Sequence, residues 1–212
     1  MKKTLFIIGM LLGVFSLHAQ DMKTLFIAMP DSVAPLLTKV NREDCVDFLA
    51  SNMKAEVKNR FGKLSELKKL TKNYLFMQTT QSSTLEMKLL PLNDSVQVIA
   101  LVRTVCGPAC DSEICFYDTQ WQRLDKEDFL HLPSSGAFYL PVDTLTEEAY
   151  AVVRGKADMD LLKAVLAEDE LTLSFTYTVP DYLAKEERKK LALYMRKEPL
   201  VYEWKEGKFR PM

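Results

Sequence analysis

Three cysteines fall within ten positions in the stretch "TVCGPACDSEICFYDTQW", residues 104–121, and these are the residue types here most capable of chemistry. Cys106, Cys110 and Cys115 admit three readings: a metal site, a redox switch or structural staples. Zinc would take the three thiolates with His131 as a Cys3His set, a tetrahedral arrangement the metal accepts. The spacing, C-x3-C-x4-C-x15-H, matches no established zinc pattern. A redox thiol needs a depressed pKa, supplied by a helix N-terminus or neighbouring cations. Here Asp111 and Glu113 follow Cys110, which disfavours a thiolate, and the next element reads as a strand. C-x3-C after a strand is also a copper-delivery pattern, but no following helix or convincing histidine ligand completes it. The fourth cysteine, Cys45, makes the number even, which in an oxidising compartment favours disulfides. Four cysteines allow three pairings and the sequence does not choose among them. The staple reading is the expectation for Cys45, Cys106, Cys110 and Cys115.

The compartment is read from the N-terminus. Lys2 and Lys3 precede an apolar run from Leu5 to Leu17, then His18 and Ala19. A cationic start, an apolar run of about a dozen residues and a small terminal residue form a secretory signal peptide, residues 1–19. The run is shorter than the roughly 20 residues a membrane helix needs. Gln20, not cysteine, follows, so a lipid-anchored start is not expected. The mature product, residues 20–212, is expected in the periplasm or outside the cell, with no membrane partner after the signal is removed.

Charge and histidine count narrow the function. Of 28 Lys+Arg, two leave with the signal, so 26 face 29 Asp+Glu. No basic stripe suggests nucleic acid. His18 also leaves, so His131 is the one histidine of the mature chain. Multi-histidine metal enzymes are thereby excluded, and any Ser-His-Asp or Cys-His machinery would rest on His131. His131 lies between Leu130 and Leu132 and reads as structural. Ser134 and Ser135 lack the G-x-S-x-G elbow of a nucleophilic serine. The acidic runs Glu147-Glu148 and Glu168-Asp169-Glu170 fall where helix ends explain them. Trp121, Trp204, Tyr117 and Tyr202 read as sheet core. No catalytic residue and no cofactor is assigned.

The elements that would position these residues follow from periodicity. Met29-Pro30-Asp31-Ser32 opens a helical turn. Asn41 reads as an N-cap, and Cys45, Leu49, Met53, Val57 and Phe61 recur every four residues, predicting a five-turn helix ending at Gly62. Residues 73–80, 83–92 and 95–105 are rich in β-formers, with an Asn93-Asp94 turn joining the last two. Glu113–Asp118 makes a further strand. Thr146 caps a helix that ends near Gly155, and Asp158–Leu166 predicts another. Leu171–Val179 alternates as a strand. A helix follows from Lys185 toward Met195, then a strand at Leu200–Lys205 and a Glu-Gly turn. The class is α+β: an antiparallel sheet with helices packed on one face. The chain is one exported domain, in which residues 20–125 and 126–212 form candidate similar halves.

Four stretches carry a family resemblance: "MPDSVAPLLTKVNREDCVDF" (29–48), "SSTLEMKLLPL" (82–92), "TVCGPACDSEICFYDTQW" and "PLVYEWKEGKF" (199–209). In this order they resemble an uncharacterised domain-of-unknown-function family of exported Gram-negative, Bacteroidetes-type proteins. The resemblance implies one folded exported unit and transfers no catalytic residues. The function expected is a non-enzymatic periplasmic binding or interaction module whose partner is an unknown protein or small-molecule ligand. The rival is a thiol-redox or metal-binding protein using the Cys106-Cys110-Cys115 cluster.

Overall fold

A computed structural model describes residues 21–141 and 147–212. The expected signal peptide, residues 1–19, and the expected Thr146 cap lie outside the described residues. In chain order the elements are α1 (Met22–Ala28), α2 (Lys39–Ala50), β1 (Glu56–Lys58), β2 (Leu64–Leu70), β3 (Tyr74–Thr80), β4 (Ser83–Pro91), β5 (Gln97–Cys106), β6 (Cys110–Tyr117) and β7 (Arg123–Leu124). They continue with α3 (Glu147–Arg154), β8 (Leu162–Leu166), β9 (Thr172–Tyr177), α4 (Lys185–Ala192), β10 (Leu200–Lys205) and β11 (Lys208–Pro211).

β1 to β7 form an antiparallel meander of seven strands in sequence order, and β8 to β11 a second antiparallel sheet in the order β11-β10-β9-β8. Antiparallel neighbours need only short turns, so the meander forms wherever turn chemistry permits. Asn93 Oδ1 accepts the N–H groups of Ser95 and Val96 in the β4–β5 turn. Glu206 and Gly207 have φ of 50° and 75°, the two positive angles of the tight turn that joins β10 to β11.

The central strands are buried on both faces. On β4, Leu85, Met87 and Leu89 meet α1 and α2, while Leu90 faces the second sheet. On β5, Ile99 and Leu101 point one way and Val98, Ala100 and Val102 the other. The result is three layers, helices on the first sheet and the first sheet on the second. This is the α+β class, with two antiparallel sheets and helices packed against them. Between the sheets, Phe116 lies 5.0 Å from Phe129, and Trp204 5.0 Å from Phe209, centroid to centroid.

Three elements, α2, β1 and β8, differ from the sequence reading. The long helix ends at Ala50, not Gly62. Its cap is Thr38, whose hydroxyl accepts the Asn41 N–H while Asn41 Oδ1 accepts that of Thr38. Asn41 is thus the reciprocal partner of a capping box, not the cap itself. Met53 and Phe61 are exposed, and Val57 sits in β1 opposite Ser65. Met29–Ser32 opens a helical turn as expected, Val33 and Ala34 both donating to the Pro30 carbonyl. Residues 162–166 form β8, not a helix.

Candidate functional site

The cysteines separate. Cys106 and Cys110 are directly opposite on β5 and β6 and are joined in a disulfide, with Cα atoms 4.0 Å apart. Cys115 pairs with Leu101, and strand alternation turns it to the other face of the sheet, where it is buried. Cys45 is buried on α2 with its thiol 3.7 Å from the Ala55 carbonyl oxygen. Cys45 and Cys115 are free thiols, so they are not the disulfide partners that an even count suggested. Burial pushes Cys45 up to about 11, and burial with the nearby Glu113 raises Cys115. Both shifts disfavour the thiolate form that redox chemistry needs. His131 is exposed, its Nδ1 3.1 Å from Glu127 Oε2. The Cys3His set is therefore not assembled: two members are bonded to each other and a third faces away. Among the described residues no group of three or more His, Cys, Asp or Glu side chains is placed to hold a metal ion.

The disulfide closes a very short loop, so its stabilisation through the unfolded chain is modest, about 2 kcal/mol. Urea denaturation of the Cys106→Ser/Cys110→Ser double variant is expected to show that loss with a cooperative transition retained. A loss above about 5 kcal/mol would mean the bond holds more than its hairpin.

The stretch 29–48 explains itself through one buried arginine. Arg42 lies on the inward stripe of α2 with Cys45 and Val46, and its side chain is 2% exposed. Its guanidinium donates to the carbonyls of Ile27, Met29 and Leu37 and to Asp31 Oδ1 at 3.2 Å. Asp31 also pairs with Arg60, and the Arg60 N–H donates to the Leu36 carbonyl. A planar fork with five donors suits this task, because it ties several carbonyls of one loop at once. The loop from Pro30 to Leu37 is thereby fixed over the ends of β3, β4 and β5. Arg103 of β5 closes the far side, donating to the Val33 carbonyl at 2.6 Å and pairing with Glu113 at 2.9 Å.

Under this loop is a cavity of about 150 Å³. Its apolar lining comes from Val33, Ala34, Leu36, Leu37, Leu85 and Val105, with Thr79, Ser83, Thr84 and Thr104 beside them. Arg103, the charged residue of that lining, has its guanidinium already engaged. The surface that the cavity presents to an occupant is almost wholly apolar. A larger groove beside β6 and β7 is lined by Glu113, Arg123, Asp125, Lys126 and Glu127, charges that solvent screens.

Sequence reasoning missed this site because its residues come from three distant segments. One signal was present: Arg42 sits at helical spacing from Cys45 and Val46, on a face that otherwise reads as core. Among the described residues no helix is long and apolar enough to cross a membrane.

No curated protein matches the chain. A solved structure, described as that of a domain of an uncharacterized protein from Porphyromonas gingivalis W83, superimposes with a TM-score of 0.81 at 31% identity. The match covers 92% of this chain and 100% of that one. The family model for a protein of unknown function, DUF3256, matches residues 14–209. With nearly its whole length matched, the chain belongs to the DUF3256 family.

Proposed function

We propose that the protein is a non-enzymatic exported binding module that takes a small, neutral, apolar group of a ligand or partner into the cavity beneath the Pro30–Leu37 loop. The observation that carries this reading is the cavity itself, an apolar hollow walled by a loop that a buried arginine holds in place. A largely apolar hollow of about 150 Å³ has room for a benzene-sized guest. Arg103 is committed to Glu113 and the Val33 carbonyl, so an anionic group entering the hollow would find no free cation to replace its hydration. The cationic start and apolar run of residues 1–19, which resemble a secretory leader, support export.

Titration calorimetry and thermal shift with benzene, set against benzoate, test the reading. Benzene is expected to bind saturably with a Kd of order 1 mM, equivalent to about 4 kcal/mol, and benzoate at least tenfold more weakly. Ala34→Leu, which fills the hollow with three more carbons, is expected to abolish benzene binding while the protein stays folded. Saturable binding that Ala34→Leu leaves unchanged, or none by benzene, toluene or indole, would remove the cavity from the account.

A further inference from the structure

The seam between the two sheets carries a second device. β8 is the outer strand of its sheet, with β9 on its inner side. The outward N–H groups of an edge strand are left unpaired unless something covers them. Here three side chains of the first sheet do so at alternate residues. Asp111 Oδ1 accepts the Leu162 N–H at 3.2 Å, Ser112 Oγ that of Ala164 at 2.9 Å, and Glu86 Oε2 that of Leu166 at 2.9 Å. The Thr178 hydroxyl adds a bond to the Cys110 carbonyl.

Asp111 is exposed and Ser112 does not titrate, which leaves Glu86, 4% exposed on β4. Around it stand the Tyr74 hydroxyl of β3 and Lys163 of β8. Lys88, two residues along β4 and 1% exposed, donates to the Glu168 carbonyl and lies 5.7 Å over the Tyr74 ring. Asp169 and the Glu168 carboxylate, the latter bridged to Lys69 of β2 at 2.9 Å, complete the charged groups on this side. Burial outweighs the Leu166 bond, Lys163 and Tyr74, and pushes the Glu86 carboxyl up to about 7. Burial likewise lowers Lys88, against the pull of Asp169 and Glu168.

We propose that this seam is a pH-dependent clasp: protonated Glu86 lets β8 lie closed on the first sheet, and its ionisation inside the seam loosens that strand. The sign follows from linkage. A carboxyl at about 7 in the closed seam and at 4.5 when opened to water binds its proton more tightly when closed. Its contribution to closure is complete below pH 4.5 and is lost as pH rises through 7. An exported protein meets the pH of its surroundings directly, so the clasp would respond to conditions outside the cytoplasm.

Hydrogen exchange of the full chain at pH 5.5 and 8.5, corrected for intrinsic rates, reads the clasp at the β8 amides. Protection of Leu162, Ala164 and Leu166 is expected to fall by about 30-fold across that interval, the ratio a carboxyl moving from 7 to 4.5 on opening produces. The β10 amides are expected to keep theirs. Glu86→Gln, which retains an acceptor without a charge, is expected to give equal protection at both pH values. A pH-independent β8 in the wild type, or an equal loss in Glu86→Gln, overturns the proposal. A carboxyl-carbon titration of Glu86 in the wild-type protein needs no variant, and a midpoint near 4.5 would also sink it.

Discussion

Replacing Arg42 with methionine is expected to lower stability by about 3–5 kcal/mol in urea denaturation and to abolish benzene binding in the cavity. The aliphatic stem of arginine is retained, so the loss isolates the guanidinium. Without it, the carbonyls of Ile27, Met29 and Leu37 lose their donor in a buried setting, and an unsatisfied buried carbonyl costs about 1–3 kcal/mol. Asp31 keeps Arg60 and is half exposed, so its share is small. Arg42→Lys is expected to recover less than half of the loss, because one ammonium cannot reach three carbonyls spread around the loop. A methionine variant within about 1 kcal/mol of wild type, with binding intact, would show that the loop is held by its apolar contacts alone.

The second large effect belongs to the layer between the sheets. Phe116→Ala is expected to cost about 3–5 kcal/mol, the range for truncating a fully buried aromatic side chain. Phe116 is 0% exposed on β6 and stands 5.0 Å from Phe129, 6.5 Å from Trp204 and 6.4 Å from Phe209. It is the point where the first sheet meets the aromatic side of the second. Phe116→Leu keeps most of the volume and is expected to lose less than half as much. Trp204, whose Nε1 donates to the Pro91 carbonyl at 2.7 Å, provides a fluorescence signal for the same layer. A loss below about 1 kcal/mol in the alanine variant would mean that the sheets are held by their polar seam.

Much of the fold was legible because its strands are dense in β-branched and aromatic residues. The Tyr74–Thr80, Ser83–Pro91, Gln97–Cys106 and Leu200–Lys205 strands were each read within three residues of their ends, and the Asn93-Asp94 turn fell where expected. The errors share a cause. Leu64–Leu70, "LSELKKL", has helical propensity and was not read as a strand; pairing with β1 and β3 on either side overrides that preference. Met53, Val57 and Phe61 continued the four-residue spacing of α2 by coincidence, since two are exposed and the third is in a strand. "LKAVL" became β8 because β9 lies beside it, a partner that local periodicity does not reveal.

The functional residues were less legible. Alternation in "STLEMKLL" places Glu86 and Lys88 opposite Leu85, Met87 and Leu89, which reads as a solvent face; the second sheet covers it instead. The cysteine cluster drew attention by spacing alone. Strand alternation then assigned Cys106 and Cys110 to one face and Cys115 to the other. The cavity needed the 30–37 loop brought over β4 and β5, which depends on Arg42 and Arg103 reaching backbone carbonyls far along the chain.

The most direct test of the binding account is a methyl-detected NMR titration of the full mature chain with benzene. Saturable shifts are expected on Val33, Leu36, Leu37, Leu85 and Val105, with Leu173 and the other methyls between the sheets unmoved. Shifts that fail to saturate, or that centre on methyls outside this hollow, would contradict the binding account.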